Sequence, residues 1–362
     1  MLGLARALRR MGHEARVLAP CDGPPPELFV IPLGNSIPTA ANGSVAPLAP
    51  DPACALRTIR ALADEAFDVV NVHEPLVPGP PMTALVMRAG ITVGTFHAAG
   101  DSSSYRILNR SVNWLAGRLD LRIAVSDDAR DLAERYLGGH YDVLFNGVEL
   151  DRYRVPASVP REGPTVMFCG RHEPRKGLDV LLTALADLPG DVRCWVASDG
   201  PNTAALRARF ASDERIEWLG RLTDEDKIAR LASADVLCAP SLRGESFGVV
   251  LIEAMAAGTA IVASDLPGYR RVARPDIDAL LTPPGDTLAL ATALKRVLGD
   301  EDLAQALRAS GSERAEAFSM AALADEYVAR FERLLASAAS SVTTDGAGAR
   351  VPRWLRRIMP SS

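Results

Sequence analysis

The feature that most constrains this chain is a regular alternation of short β-rich runs with stretches long enough for a helix, sustained almost from end to end. Runs such as Val69-Val-Asn-Val72, Val236-Leu-Cys-Ala239 and Ile261-Val-Ala-Ser264 are apolar on both faces. Parallel strands covered by helices on each side have that character. In the first half the runs fall at 15–20, 67–73, 91–97, 121–126 and 143–146; in the second half at 165–170, 192–198, 216–219, 235–239, 260–264 and 279–282. The intervening segments are of crossover length, so the pattern predicts an α/β fold of two doubly wound, Rossmann-like domains. A length of 362 residues fits two such domains at ~150 residues each.

Composition closes off other classes. Apolar residues at 48% and charged residues at 23% exclude disorder of the whole chain. Forty Lys and Arg against forty-five Asp and Glu leave a net charge of −5, which argues against a nucleic-acid-coating protein. The five cysteines are scattered, with no C-x-x-C pair, and fit neither a disulfide framework nor a zinc site. A reducing, cytoplasmic location is the simplest reading. The longest nearly apolar run, 248–263, contains Glu253 and falls short of the ~20 residues of a spanning helix. Arg6, Arg9 and Arg10 interrupt the start, so no secretory leader is visible there.

Both ends are irregular. Met1, Leu4, Ala5, Leu8 and Met11 share one face of a helix, with Gly12 as its C′ residue. A doubly wound domain normally opens on a strand and a glycine-containing turn before its first helix, and neither precedes Met1 here. The expectation is that Met1 is internal to the true reading frame, or that part of the site is lost. Residues 151–164 contain Pro156, Pro160 and Pro164 and read as a linker. The domains are placed at 1–155 and 156–316, with a helix at 317–336 as a candidate to return to the first domain, and a flexible tail at 337–362. The tail ends in Arg350-Val-Pro-Arg-Trp-Leu-Arg-Arg-Ile-Met-Pro360, whose apolar Val351, Trp354, Leu355, Ile358 and Met359 recur at helical spacing among four arginines. That is the pattern of a short membrane-surface helix, and it suggests peripheral contact with an anionic inner leaflet.

Two segments carry chemistry. Arg243-Gly-Glu-Ser-Phe-Gly-Val-Val-Leu-Ile-Glu-Ala-Met-Ala-Ala-Gly-Thr259 lies between two strands. Glu245 would sit in the loop at a strand's carboxyl end and Glu253 in the second turn of the helix beginning near Gly248. Both carboxylates would then face one crevice, one taking sugar hydroxyls and the other ribose hydroxyls, with amides around Phe247 and Gly248 receiving a diphosphate. Capping by Glu245 and a merely solvated Glu253 is the blander alternative. The second segment, Gly170-Arg-His-Glu-Pro-Arg-Lys-Gly177, sends Arg171, Arg175 and Lys176 from the end of a strand. Fixed cations there suit a departing diphosphate where no metal is supplied.

The G-R…R-K-G turn, the Ala197-Ser-Asp-Gly-Pro201 loop, the G-E-S-F-G-x-x-x-x-E-A-M-A-A-G-T block and Ala263-Ser-Asp-Leu-Pro-Gly268 together resemble family-4 retaining glycosyltransferases, from Met1 to about residue 335. The resemblance implies the GT-B architecture, two Rossmann-like domains facing across a cleft. The narrower likeness is to actinobacterial phosphatidylinositol mannosyltransferases, which use GDP-mannose. It is carried by Gly12-His-Glu14, Asn42-Gly-Ser-Val-Ala46, His73-Glu-Pro75, Thr95-Phe-His97, Asn146-Gly-Val148 and Ser264-Asp-Leu266. It implies that Arg171 and Lys176 hold the donor diphosphate, and that Glu245 with the backbone of Ser246, Phe247 and Gly248 holds the transferred sugar. It also implies that Glu253 takes the ribose, that Leu222, Asp224 and Lys227 face the nucleobase, and that His97 faces the sugar and acceptor.

No metal or other cofactor is expected; Asp276-Ile-Asp278 is formally D-x-D but lies far along from the phosphate-binding turns. The family's first strand and Gly-Gly turn are absent ahead of Met1. Pro47 stands where those enzymes place an arginine suited to the acceptor's phosphate. The partners implied are a nucleotide sugar and a phosphoinositol lipid, with no nucleic acid. Another nucleotide sugar with a non-inositol acceptor, or a catalytically impaired sugar-nucleotide binder, are the alternatives. His13 and His73 read as structural, His140 and His172 as surface residues.

Overall fold

In the computed structural model, which describes residues 1–41, 44–97 and 109–344, the apolar runs become short parallel strands. The chain divides into two units, Met1–Phe145 with the chain from Leu323 onward, and Asn146–Ala322.

The first unit opens on α1 (Leu2–Arg10), which buries Leu4, Ala5 and Ala7 and leaves Met1 and Met11 exposed. Gly12 follows in the left-handed region at φ +93°, as a C′ glycine should. β1 (Val17–Ala19) pairs in parallel with β2 (Val30–Pro32), and β3 (Ile37–Ala41) pairs antiparallel with β4 (Ser44–Leu48). α2 (Pro52–Glu65) is capped by Asp51, whose carboxylate accepts the Cys54 N–H. Then follow β5 (Val69–His73), α3 (Pro80–Met87), β6 (Ile91–Phe96), α4 (Asn109–Ala116), β7 (Leu121–Ala124), α5 (Asp127–Leu137) and β8 (Asp142–Val143). The four strands form one parallel sheet in the order β5-β6-β7-β8. Every residue of β6 is buried, as a doubly covered strand requires. β1 and β2 belong to a separate two-stranded sheet, and an apolar cavity of about 500 Å³ is lined by Val17 and Leu18 of β1 on one side and Val69 and Val70 of β5 on the other.

The second unit runs β9 (Thr165–Cys169), α6 (Leu178–Ala184), β10 (Arg193–Ala197), α7 (Thr203–Arg209), β11 (Ile216–Gly220), α8 (Asp224–Ser233), β12 (Val236–Ala239), α9 (Val249–Ala256), β13 (Ala260–Ser264), α10 (Pro267–Val272), β14 (Leu280–Thr282), α11 (Thr287–Gly299) and α12 (Glu301–Glu316). Its six strands are all parallel, in the order β11-β10-β9-β12-β13-β14. The chain therefore winds outward from β9 in one direction and from β12 in the other. The crevice outside the carboxyl ends of β9 and β12 is the topological switch point, where such sheets bind ligands. The last helix, α13 (Met320–Thr344), carries Tyr327 and Arg330 onto the first sheet, where they meet Thr95 of β6 and Asp142 of β8.

The structure departs from expectation in some of its strands and in the linker segment. β2 and the β3–β4 hairpin were not anticipated, and the run at 143–146 contributes only Asp142–Val143. Residues 151–164, read as a linker, belong to the second unit and pack on it: Tyr153 is buried, the Ser158 and Val159 N–H groups donate to Ser233 Oγ, and Arg161 pairs with Asp235. The basic tip at 350–362 and residues 42–43 of the N-G-S-V-A motif lie outside the described residues.

Candidate active site

Two glycines let backbone approach backbone at the switch point, Gly177 bringing the turn after β9 to the loop after β12 and Gly268 bringing α10 to the same loop. Gly177, at φ +66°, ends the 3₁₀ turn Pro174–Lys176, and a Cβ there would stand 2.0 Å from the Pro240 carbonyl oxygen. Gly268, in the first turn of α10, would place a Cβ 1.8 Å from the Glu245 carbonyl oxygen. The Leu242 N–H donates to the Arg175 carbonyl at 2.7 Å, stitching turn to loop.

Within this frame Lys176 Nζ donates to Glu245 Oε1 at 2.6 Å, and Ser241 Oγ donates to the same oxygen at 3.0 Å. The Tyr269 hydroxyl lies 3.0 Å from Ser241 Oγ. Burial, with Glu245 nearby, pushes the Tyr269 phenol well above its ordinary range, so it remains protonated. Glu245 is only 10% exposed, and α9 has no side-chain cap, so its carboxylate is not spent on capping. Arg175 pairs with Glu173 at 2.7 Å, donates to the Gly244 carbonyl at 3.1 Å and stands 3.5 Å from Glu245 Oε1. Arg171 keeps 46% of its side chain exposed, with Nε 3.9 Å from Glu173.

Glu253 forms a second, similar cluster one turn into α9. Tyr153 OH donates to Glu253 Oε1 at 2.7 Å and Lys227 Nζ donates to the same oxygen at 2.8 Å. Burial, then the neighbouring Glu253, raises the Tyr153 phenol well beyond its usual value. The Cys169 thiol, at the end of β9, is pushed up to about 11 by burial and by Glu253. Both carboxylates thus share a design: one oxygen is anchored by a lysine and a hydroxyl, while Oε2 has no partner among the described residues. An anchored carboxylate with an open oxygen is a ready acceptor for a ligand hydroxyl.

Of the other sequence candidates, Thr223 caps α8 by accepting from the Asp226 N–H, which puts Leu222 just before the helix and Asp224 in its first turn. Asp224 pairs with Arg152 at 3.1 Å. Lys227 belongs with Glu253 at 2.8 Å. Phe247 is buried with its ring edge-on to Phe318, and Gly248 opens α9 at φ +91°. Arg271 donates to the Ser246 carbonyl at 2.9 Å and holds that loop from behind. His97 directly follows β6 in the first unit, with its N–H donating to Glu74 Oε1 at 2.7 Å. Asp278 of the D-x-D is bound by Arg274 and Ser310 at 2.9 and 2.6 Å, a structural pairing.

One expectation is overturned. His172 is not a surface residue but 1% exposed. The 197–201 loop folds over it: its N–H donates to the Asp199 carbonyl, Nδ1 lies 2.8 Å from Thr203 Oγ1, and its ring meets Trp218 edge-on. Burial lowers its pKa, so the imidazole stays neutral as a clip between two loops. Tyr153, Ser241, Tyr269 and Glu173 were missed: Tyr153 and Tyr269 join the site through Glu253 and Ser241, distant in sequence, whereas Ser241 and Glu173 sit within a few residues of Glu245 and Arg175 and carry no motif of their own.

Residues 1–152 match the family described as Glycosyltransferase Family 4, and residues 163–300 match Glycosyl transferases group 1. The chain is 39% identical over 350 residues to a phosphatidyl-myo-inositol mannosyltransferase of Mycobacterium leprae, covering 93% of this chain and 92% of that one. It is 37% identical over 361 residues to the protein of the same name from Mycolicibacterium smegmatis, covering 97% and 91%. Among solved structures, a sucrose-phosphate synthase from Thermosynechococcus elongatus superposes with a TM-score of 0.69 at 21% identity, covering 92% of each chain. A glycosyltransferase from Rickettsia africae gives 0.70 at 18% identity, covering 92% and 93%. These structural likenesses show the shared fold of two Rossmann-like domains.

Proposed function

This chain belongs to glycosyltransferase family 4, and from that premise we propose that it transfers a mannosyl residue from GDP-mannose to a phosphatidylinositol-type lipid, with retention at the anomeric carbon. The observation that carries the donor half of this reading is the pair of lysine-anchored carboxylates at the switch point, Glu245 on Lys176 and Glu253 on Lys227. The open oxygen of Glu245 takes hydroxyls of the sugar, and that of Glu253 takes the ribose. Lys176 and Arg171 neutralise the diphosphate as it leaves, so fixed cations do the work of a metal. Ser246, Phe247 and Gly248 line the sugar side, Leu222 and Asp224 the base. The departing phosphate accepts the acceptor's proton on the same face, and no protein nucleophile is assigned.

The acceptor half rests on the relatives, which carry the name phosphatidyl-myo-inositol mannosyltransferase. Among the described residues no helix is long and apolar enough to cross a membrane. The basic, apolar tip at 350–362 is a reversible tether to an anionic leaflet, which brings the enzyme to a lipid acceptor. Pro47 favours a second reading, in which the acceptor is not an inositol lipid. The test is a panel of nucleotide sugars offered with phosphatidylinositol vesicles and with simple acceptors, products being weighed by mass spectrometry. Mannosylated phosphatidylinositol from GDP-mannose is the expected product. Transfer only from another donor, or only to other acceptors, would contradict the assignment.

A further inference from the structure

A chain of side-chain hydrogen bonds runs through the first unit and ends on His97. It starts at Tyr327 of α13, whose hydroxyl lies 3.0 Å from Thr95 Oγ1. Thr95 Oγ1 donates to Asn71 Oδ1 at 2.9 Å, and Asn71 Nδ2 stands 3.3 Å from His73 Nε2. His73 Nδ1 then stands 2.9 Å from His97 Nε2, with the two rings stacked at 5.1 Å. The parallel register of β5 on β6, which puts His73 level with Thr95, creates this line. Thr95 and Tyr327 are buried, so their hydroxyls depend on it for satisfaction.

Each link offers a single proton, so the direction set at one end propagates to the other. Thr95 gives its proton to the Asn71 carbonyl, so Thr95 accepts from Tyr327. The amide end facing His73 is then the NH₂, and His73 Nε2 must accept. A neutral imidazole carries one N–H, so the proton of His73 is on Nδ1 and is donated to His97 Nε2. By the same count the proton of His97 is on its own Nδ1. Both rings are neutral: burial lowers His73 to about 3, with His97 beside it, and lowers His97 to about 4. His97 itself is an exposed residue at the end of β6.

We infer that Asn71 and His73 are positioning residues that lock His97 in its Nδ1–H tautomer, so that His97 meets the substrate as a hydrogen-bond donor and not as a base. A donor fits a transfer in which the departing phosphate takes the acceptor's proton. Nδ1–H would bind an oxygen of the sugar or of the leaving group, whereas a ring with a bare Nδ1 would compete for that proton. The lock resembles the way a second group fixes the tautomer of catalytic and metal-binding histidines. This inference rests on the proposed mannosyl transfer, with His97 at the transferred sugar as the family resemblance implies, but the tautomer itself is readable without substrate.

The experiment is a long-range ¹H–¹⁵N spectrum of the histidine side chains in the full-length protein near neutral pH, with His97 assigned by its loss in His97→Gln. The expected result is the Nδ1–H pattern for His97. In His73→Phe, which keeps a stacking ring but no donor, His97 should move toward the Nε2–H form. Turnover should then fall about tenfold with little change in the donor KM. An Nε2–H pattern for His97 in the wild-type spectrum would overturn the inference without any variant, since a reversed Asn71 amide sends every proton the other way. An unchanged tautomer in folded His73→Phe would also overturn it. Absence of mannosyl transfer with the expected tautomer present would count against the proposed function and not against the lock.

Discussion

Lys176 Nζ stands 2.6 Å from Oε1 of Glu245, joining the turn after β9 to the loop after β12 across the switch point of the second sheet. In the proposed reaction the pair does two jobs: it orients a mostly buried carboxylate, and it parks a cation where the diphosphate would leave. Because charge on the leaving group grows toward the transition state, the cation should matter more to turnover than to binding. Lys176→Ala is expected to lower kcat about 100-fold with a much smaller change in donor affinity. Steady-state kinetics beside a donor titration separate the two. Near-wild-type turnover would remove Lys176 from the chemistry.

Gly268→Ala should damage the site from outside it. Its Cβ would stand 1.8 Å from the Glu245 carbonyl oxygen, a backbone atom with nowhere to go except away with its loop. Overpacking of this kind costs on the order of 1–3 kcal/mol. Thermal melts should show a lowered midpoint for Gly268→Ala, with weakened donor binding, whereas Gly190→Ala, where a Cβ meets nothing within 4 Å, should leave both unchanged.

The stacked histidines make stability depend on acid in a defined direction. Their folded-state values, about 3 for His73 and about 4 for His97, lie below the ordinary 6.5. Below pH 6.5 the unfolded chain therefore binds protons that the folded chain refuses, and stability falls as pH drops toward 4. Above 6.5 the contribution is fully present. Urea unfolding at pH 7.5, 6.5 and 5.5 should show this loss, and His73→Phe should show a shallower one. Equal slopes for the two proteins would contradict the burial of a neutral His73.

The tip at 350–362 offers a prediction independent of catalysis. Four arginines near an anionic surface contribute ~1 kcal/mol each, and Trp354 suits the headgroup level. Co-sedimentation with anionic vesicles should weaken when residues 350–362 are removed, and the difference should shrink at high salt. Equal sedimentation of both forms would take the tip out of the mechanism.

What was legible in the sequence follows a physical line. Runs apolar on both faces, such as Val236–Ala239 and Ala260–Ser264, appear as strands at or within a residue of their expected bounds. Their patterning is local and unambiguous. β2 is three residues long with a proline at its end, and the β3–β4 hairpin carries Pro38 and Pro47, so turn signals masked the pairing. Glu245 and Glu253 stood out because one short block holds both carboxylates with the glycine that opens α9. Lys176 and Lys227 were named too, but for the diphosphate and the base and not as anchors of these carboxylates, and Tyr153 comes from an apparent linker. His172 looked exposed because the loop that covers it begins 25 residues later, beyond any local pattern. The Asn71–His73–His97 line depends on the register of β5 against β6, which strand periodicity does not specify.

If the two lysine-anchored carboxylates of the second unit claim the donor as proposed, calorimetric titration of GDP-mannose into wild type and Glu253→Ala will register it. The wild-type protein should bind with a saturable one-to-one isotherm, and Glu253→Ala should bind at least tenfold more weakly while melting as a folded protein. Equal affinity for GDP-mannose in the two proteins would contradict the proposed donor site.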